Sequence, residues 1–157
     1  MTAKLGRWVL AVVLALATST LAMRDATASE AADAARKWGL IGRWAVDCSV
    51  PPDKASPVII YAIGSGDRVL LRRDYGNRID EQEVGSVEIA ADGNLLMRTS
   101  FPSLKQIRES AVAMAPDGSI RAIYNRDEKD EYTVRDGIYV TNGNPTIALH
   151  RCAPKAG

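Results

Sequence analysis

Beyond Gly42 the chain is interrupted at short, nearly regular intervals by groups that reverse a backbone: Gly64-Ser65-Gly66-Asp67, Gly76-Asn77, Asp92-Gly93, Pro116-Asp117-Gly118, Asp136-Gly137 and Asn142-Gly143. Asp-Gly and Asn-Gly accept the positive φ that tight hairpins demand. Between them lie runs of β-type composition, over residues 43–49, 58–63, 68–75, 84–90, 94–101, 104–115, 119–125, 131–140 and 146–152. Such runs joined by such turns predict antiparallel hairpins. Some alternate, as Ile120, Ala122 and Tyr124 do against Arg121 and Asn125, which gives one face to a core and one to water. Others, such as "VIIYAI", are apolar throughout and suit strands covered on both faces.

No helical pattern alternates with these runs, which argues against a parallel sheet. Residues 104–115, "LKQIRESAVAMA", are the ambiguous stretch, since the same letters suit a helix. The fold class is all-β: an eight- or nine-stranded antiparallel meander. Closing it into an up-and-down barrel would remove its two exposed edges. A short helix is expected over residues 29–37, "SEAADAARK", with Ser29 as N-cap and bases last, a disordered leader being the alternative.

The first residues have the plan of a secretory signal peptide. Lys4 and Arg7 precede an apolar run over residues 8–17, and small residues follow, including Ala26-Thr27-Ala28. The run is short of the roughly 20 residues a bilayer-spanning helix needs. The expected cut follows Ala28, with Ala22 as the alternative. The domain reading is therefore a signal peptide over 1–28 and one domain over 29–157. The chain has 20 basic and 19 acidic residues. Lys4, Arg7, Arg24 and Asp25 would leave with the leader, so the remainder is nearly neutral and has no bulk attraction for nucleic acid or anionic lipid.

The two cysteines, Cys48 and Cys152, stand near the two ends of the expected domain. An exported chain meets an oxidising compartment, where two thiols pair. That bond would close a loop of about 100 residues, for which chain entropy gives roughly 4–5 kcal/mol. It requires the first and last strands to be neighbours, as closure of a barrel also does. Two cysteines and one distant His make no four-ligand zinc site, so no metal or cofactor is expected.

The helical lead-in followed by Gly42-Arg43-Trp44 on the first strand resembles the start of a lipocalin. The resemblance implies a calycin-type barrel in which Trp44 closes one end and Arg151, on the last strand, packs over it. The family's Thr-Asp-Tyr motif is missing from this chain. A similar Gly-x-Trp start is shared by small exported bacterial barrels, among them periplasmic inhibitors of secreted metalloproteases. That second resemblance would make residues 29–38 an inhibitory arm.

Other chemistry is sparse. His150 is the only His, and no nucleophile motif, metalloprotease motif or phosphate-cradling loop accompanies it. Asp127, Glu128, Asp130 and Glu131 lack EF-hand spacing and suit a solvated hairpin loop. Arg72, Arg73 and Arg78 form the densest basic patch, with a charged hairpin preferred over an anion site. Trp38 and Trp44 suit packing, and Tyr61, Tyr124, Tyr132 and Tyr139 suit strands. The expectation is a non-enzymatic periplasmic or secreted barrel that binds a small apolar or amphiphilic ligand, the alternative being a protein-binding module such as a protease inhibitor.

Overall fold

The structure, a computed structural model, describes residues 19–154. Most of the expected signal peptide, residues 1–28, lies outside the described residues. The helix α1 (Ser19–Trp38) runs across the expected cut and is longer than the short 29–37 helix that the sequence implied. It ends where Gly39 takes φ +88°. The Gly39 N–H donates to the Arg36 carbonyl and the Leu40 N–H to the Ala35 carbonyl, the paired bonds of a Schellman stop. Among the described residues no helix is long and apolar enough to cross a membrane.

Ten strands follow: β1 (Gly42–Ala45), β2 (Val58–Ile63), β3 (Val69–Asp74), β4 (Ile79–Ile89), β5 (Leu95–Phe101), β6 (Gln106–Met114), β7 (Ile120–Asp127), β8 (Tyr132–Arg135), β9 (Ile138–Tyr139) and β10 (His150–Cys152). They form one antiparallel sheet in the order β10-β1-β2-β3-β4-β5-β6-β7-β8-β9. Within the ambiguous 104–115 stretch lies strand β6, paired with β5 and β7. Strand β4 begins five residues earlier than its apolar letters indicated. Its acids Asp80 and Glu81 stand opposite Arg73 and Arg72 of β3, so cross-strand charge carries the pairing where apolar residues are absent.

The expected barrel of eight or nine strands is corrected to an open sheet of ten. Strand β10 pairs with β1, as the two cysteines required, but β9 does not pair with β10. The reason lies in residues 140–149. Pro145 has no N–H to give a ladder, and the segment is tied down by scattered contacts instead. An isolated bridge joins Ile138 to Pro145 and another joins Ile120 to Leu149. Arg121 Nη1 and the Thr146 hydroxyl donate to the carbonyls of Thr146 and Ala122, at 2.7 and 2.8 Å.

In a meander, alternate turns lie at the same end. The turns after β2, β4 and β6 share one end, and α1 sits there: it packs on β4, Trp38 Nε1 donates to the Gly93 carbonyl at 2.8 Å, and Arg36 pairs with Asp67. Ala31, Ala32 and Ala35 of α1 are buried against Leu40, Trp44, Val69, Val84, Val87, Leu95, Met97, Val112 and Ile120. Small alanines let the helix approach the sheet closely. This end is filled. The turns after β3, β5 and β7 form the opposite rim.

Candidate functional site

Alternation along each strand fixes which residues share the inner face with that core. On β3 it carries Val69 and Leu71 into the core and then Arg73 toward the rim. On β5 it carries Leu95, Met97, Thr99 and Phe101, and on β6 it carries Val112, Ser110, Arg108 and Gln106. The inner face is therefore divided. Its α1 end is apolar, whereas its rim end bears Arg73, Asp80, Phe101, Gln106, Arg108, Asn125 and Thr133.

These side chains are organised by one another. Arg73 forks onto Asp80, Nε to Oδ1 at 2.9 Å and Nη2 to Oδ2 at 2.8 Å, and lies over the Phe101 ring at 5.3 Å. Arg108 is held differently. Its Nε donates to Asn125 Oδ1 at 2.6 Å, Nη1 to Gln106 Oε1 at 3.3 Å and Nη2 to Thr133 Oγ1 at 3.3 Å. The Thr133 hydroxyl in turn donates to Asn125 Oδ1 at 2.9 Å. Among the described residues Arg108 has no ion-pair partner. Asp127, its register partner on β7, is buried and accepts the backbone N–H groups of Lys129 and Glu131, each at 2.9 Å. The backbone bond from Glu131, then that from Lys129, and then the charges of Arg108 and Lys129 hold its carboxyl below the usual range. Deeper in, burial pushes the Tyr61 phenol up to about 12, against the opposing charge of Arg73.

The outer face is laced with ion pairs. Arg72 pairs with Glu81, Arg68 with Glu83, Arg98 with Glu128, and Arg126 with both Glu109 and Asp130. The basic patch of the sequence is thus split between faces: Arg72 outward, Arg73 inward, and Arg78 stacked on Tyr75. The acidic run is a hairpin loop held by Asp127 and Arg126. No metal-holding group of His, Cys or carboxylates occurs among the described residues. Besides a cleft of about 580 Å³ against α1, lined by Ala28, Ala31, Arg68, Val69 and Val84, shallow depressions lie on the outer face. One of about 340 Å³ lies beside the β4 bulge, lined by Glu81, Glu83, Arg98, Pro102 and Ile107. Another, about 470 Å³, is lined by Tyr124, Arg126, Tyr132, Arg135 and Asp136.

His150 is exposed on β10 opposite Ala45. The nearby Ser119 hydroxyl donates directly to Asp117 Oδ1 at 2.6 Å, so serine and acid are already joined without an imidazole between them. Cys48 and Cys152 form a disulfide with Cα atoms 5.3 Å apart. The Arg151 guanidinium lies 5.6 Å from the Trp44 ring centroid. Trp44 itself is fully buried, with Nε1 donating to the Leu40 carbonyl at 2.8 Å. Residues 29–38 form the second half of α1, packed on β4 through their alanines rather than projecting. Sequence reasoning passed over Arg108, Asn125 and Thr133, because the signal was distributed over three strands. The bulge in β7 between the partners of Ala111 and Val112 also shifts the inward parity there.

Comparison with protein families, curated proteins and solved structures finds no match to this chain.

Proposed function

We propose that this is an exported, non-enzymatic binding module that takes a small amphiphilic ligand at the rim end of its inner face. The observation that supports it most is the division of that face. One end is packed by α1, Leu40 and Trp44, while the other presents half-buried polar side chains organised by hydrogen bonds to one another. The apolar end is packed by side chains, so the ligand read here is amphiphilic rather than purely apolar. The disulfide suits an oxidising compartment. The absence of an imidazole between Ser119 and Asp117 disfavours nucleophilic catalysis. The protein-binding alternative would use residues 29–38 as a free arm, and burial of Ala31, Ala32 and Ala35 counts against it.

Native mass spectrometry of the exported protein tests the proposal. A retained small molecule, lost on unfolding and displaced by an amphiphilic dye, is the expected result. Leu104, 60% exposed in the turn between β5 and β6, is a rim position remote from the core. Leu104→Asp is expected to weaken dye binding, and Ile147→Asp, outside that rim, to leave it unchanged. A protein that neither retains a molecule nor takes the dye would overturn the proposal.

A further inference from the structure

We infer that the ligand's polar end is a carboxylate and that Arg108 reads it. The inference rests on the binding reading above and adds the chemistry of the headgroup. A guanidinium has five N–H donors and a permanent positive charge. In Arg108 three of those donors are taken, one each by Asn125, Gln106 and Thr133, and all three acceptors are neutral. One N–H on each terminal nitrogen is left over. Two donors on adjacent nitrogens match the two oxygens of a carboxylate.

The neighbouring arginine supplies the contrast. Arg73, on the same face, is satisfied by the bidentate fork of Asp80 and has its charge met. Arg108 is oriented by neutral acceptors instead, and no carboxylate among the described residues touches it. Asp127, the nearest acid by register, gives its Oδ1 to two backbone N–H groups; the Arg108 charge helps to lower its carboxyl, but the two do not come within ion-pair distance. Neutral acceptors that fix a cation without neutralising it are a poor way to stabilise a fold, since a half-buried charge is stabilised best by an opposite one. They are a good way to hold a cation ready for an anion that arrives later. Phe101, on the same face and paired in register with Gln106, is itself buried, with Arg73 over its ring.

Isothermal titration of the exported, disulfide-bonded protein with decanoate, decanol, decyltrimethylammonium and decyl phosphate tests the assignment. Decanoate is expected to bind at least about tenfold more tightly than decanol, as a charge-assisted pair requires, and the cationic amphiphile more weakly still. Arg108→Gln is expected to erase that preference, Arg108→Lys to keep part of it, and Arg72→Gln on the outer face to keep all of it. Equal affinity for decanoate and decanol would overturn the carboxylate assignment while leaving the binding module standing. So would tighter binding of decyl phosphate, or a preference that survives Arg108→Gln. Failure of decanoate to bind at all would also overturn it, and the retained-ligand measurement would then decide the binding reading separately. The probe series needs no variant, so a poorly folding Arg108→Gln would not rescue the inference.

Discussion

Arg151 spans the junction between helix and sheet: its guanidinium lies over the Trp44 indole and donates to the carbonyls of Gly39 and Ile41. The last strand thereby holds the chain where it leaves α1 and enters β1. Gly42 belongs to the same junction, since a Cβ there would come within 3.2 Å of the guanidinium and φ is +151°.

Arg151→Ala removes one cation–π contact and two charge-assisted hydrogen bonds at a partly solvated site. The expected loss is about 2 kcal/mol, read as a lower urea midpoint with an unchanged slope. Arg151→Lys keeps the charge but not the fork and should recover less than half. An unchanged midpoint in the alanine variant would remove Arg151 from any role in joining α1 to the sheet.

The disulfide closes a chain separation of 104 residues at a strand only three residues long. Reduction, or the paired Cys48→Ala and Cys152→Ala substitution, should lower stability by as much as about 4 kcal/mol. Because β10 is short, its amides should lose exchange protection before those of β4 or β5. Thiol labelling of the unfolded, unreduced protein should find neither cysteine. Quantitative labelling of both would contradict the bond outright.

Much of the hairpin series was legible because its turns are chemically committed. Residues 58–63 were read at their observed bounds, and Asp92-Gly93, Pro116-Asp117-Gly118 and Asp136-Gly137 turn where their letters say. The disulfide was legible from the expected compartment and from the position of the two cysteines. Three things were not. The start of β4, "IDEQE", carries its strand signal in the arginines across from it, which no window on β4 alone contains. The open edge depends on how residues 140–149 are tied down, a matter of Pro145 and tertiary contacts rather than of periodicity. The rim site joins side chains from β3 to β8 whose separate letters are ordinary polar strand residues.

Two glycines with nearly the same backbone separate strain from crowding. Gly76 has φ +82°, and a Cβ there would fall 2.3 Å from the Pro52 carbonyl oxygen; Gly93 has φ +84° and open space around it. Gly93→Ala should therefore lose only the left-handed penalty, about 1 kcal/mol. Gly76→Ala should lose distinctly more, roughly 3 kcal/mol, because backbone rather than a flexible side chain must give way. Denaturation of the two variants side by side checks this, and equal losses would mean that the Pro52 loop does not press on the turn after β3.

Tyr61 makes alkaline stability a reporter of the core. Its phenol is pushed up to about 12 by burial, from 10.0 for an unperturbed tyrosine. Between those values the unfolded chain has released the proton and the folded chain has kept it, so the unfolded state binds fewer protons and stability falls as pH rises. Below pH 10 both states are protonated and Tyr61 adds no slope. The shift corresponds to about 3 kcal/mol lost across that window. Tyr61→Phe should remove this part of the alkaline loss while leaving the neutral-pH fold intact. Ultraviolet titration of tyrosinate should likewise show one of the five tyrosines ionising late, and that late step should be missing from the variant. If the variant's stability falls between pH 10 and 12 as steeply as the parent's, Tyr61 is not the group that keeps its proton, and the apolar end of the inner face is wetter than its packing implies.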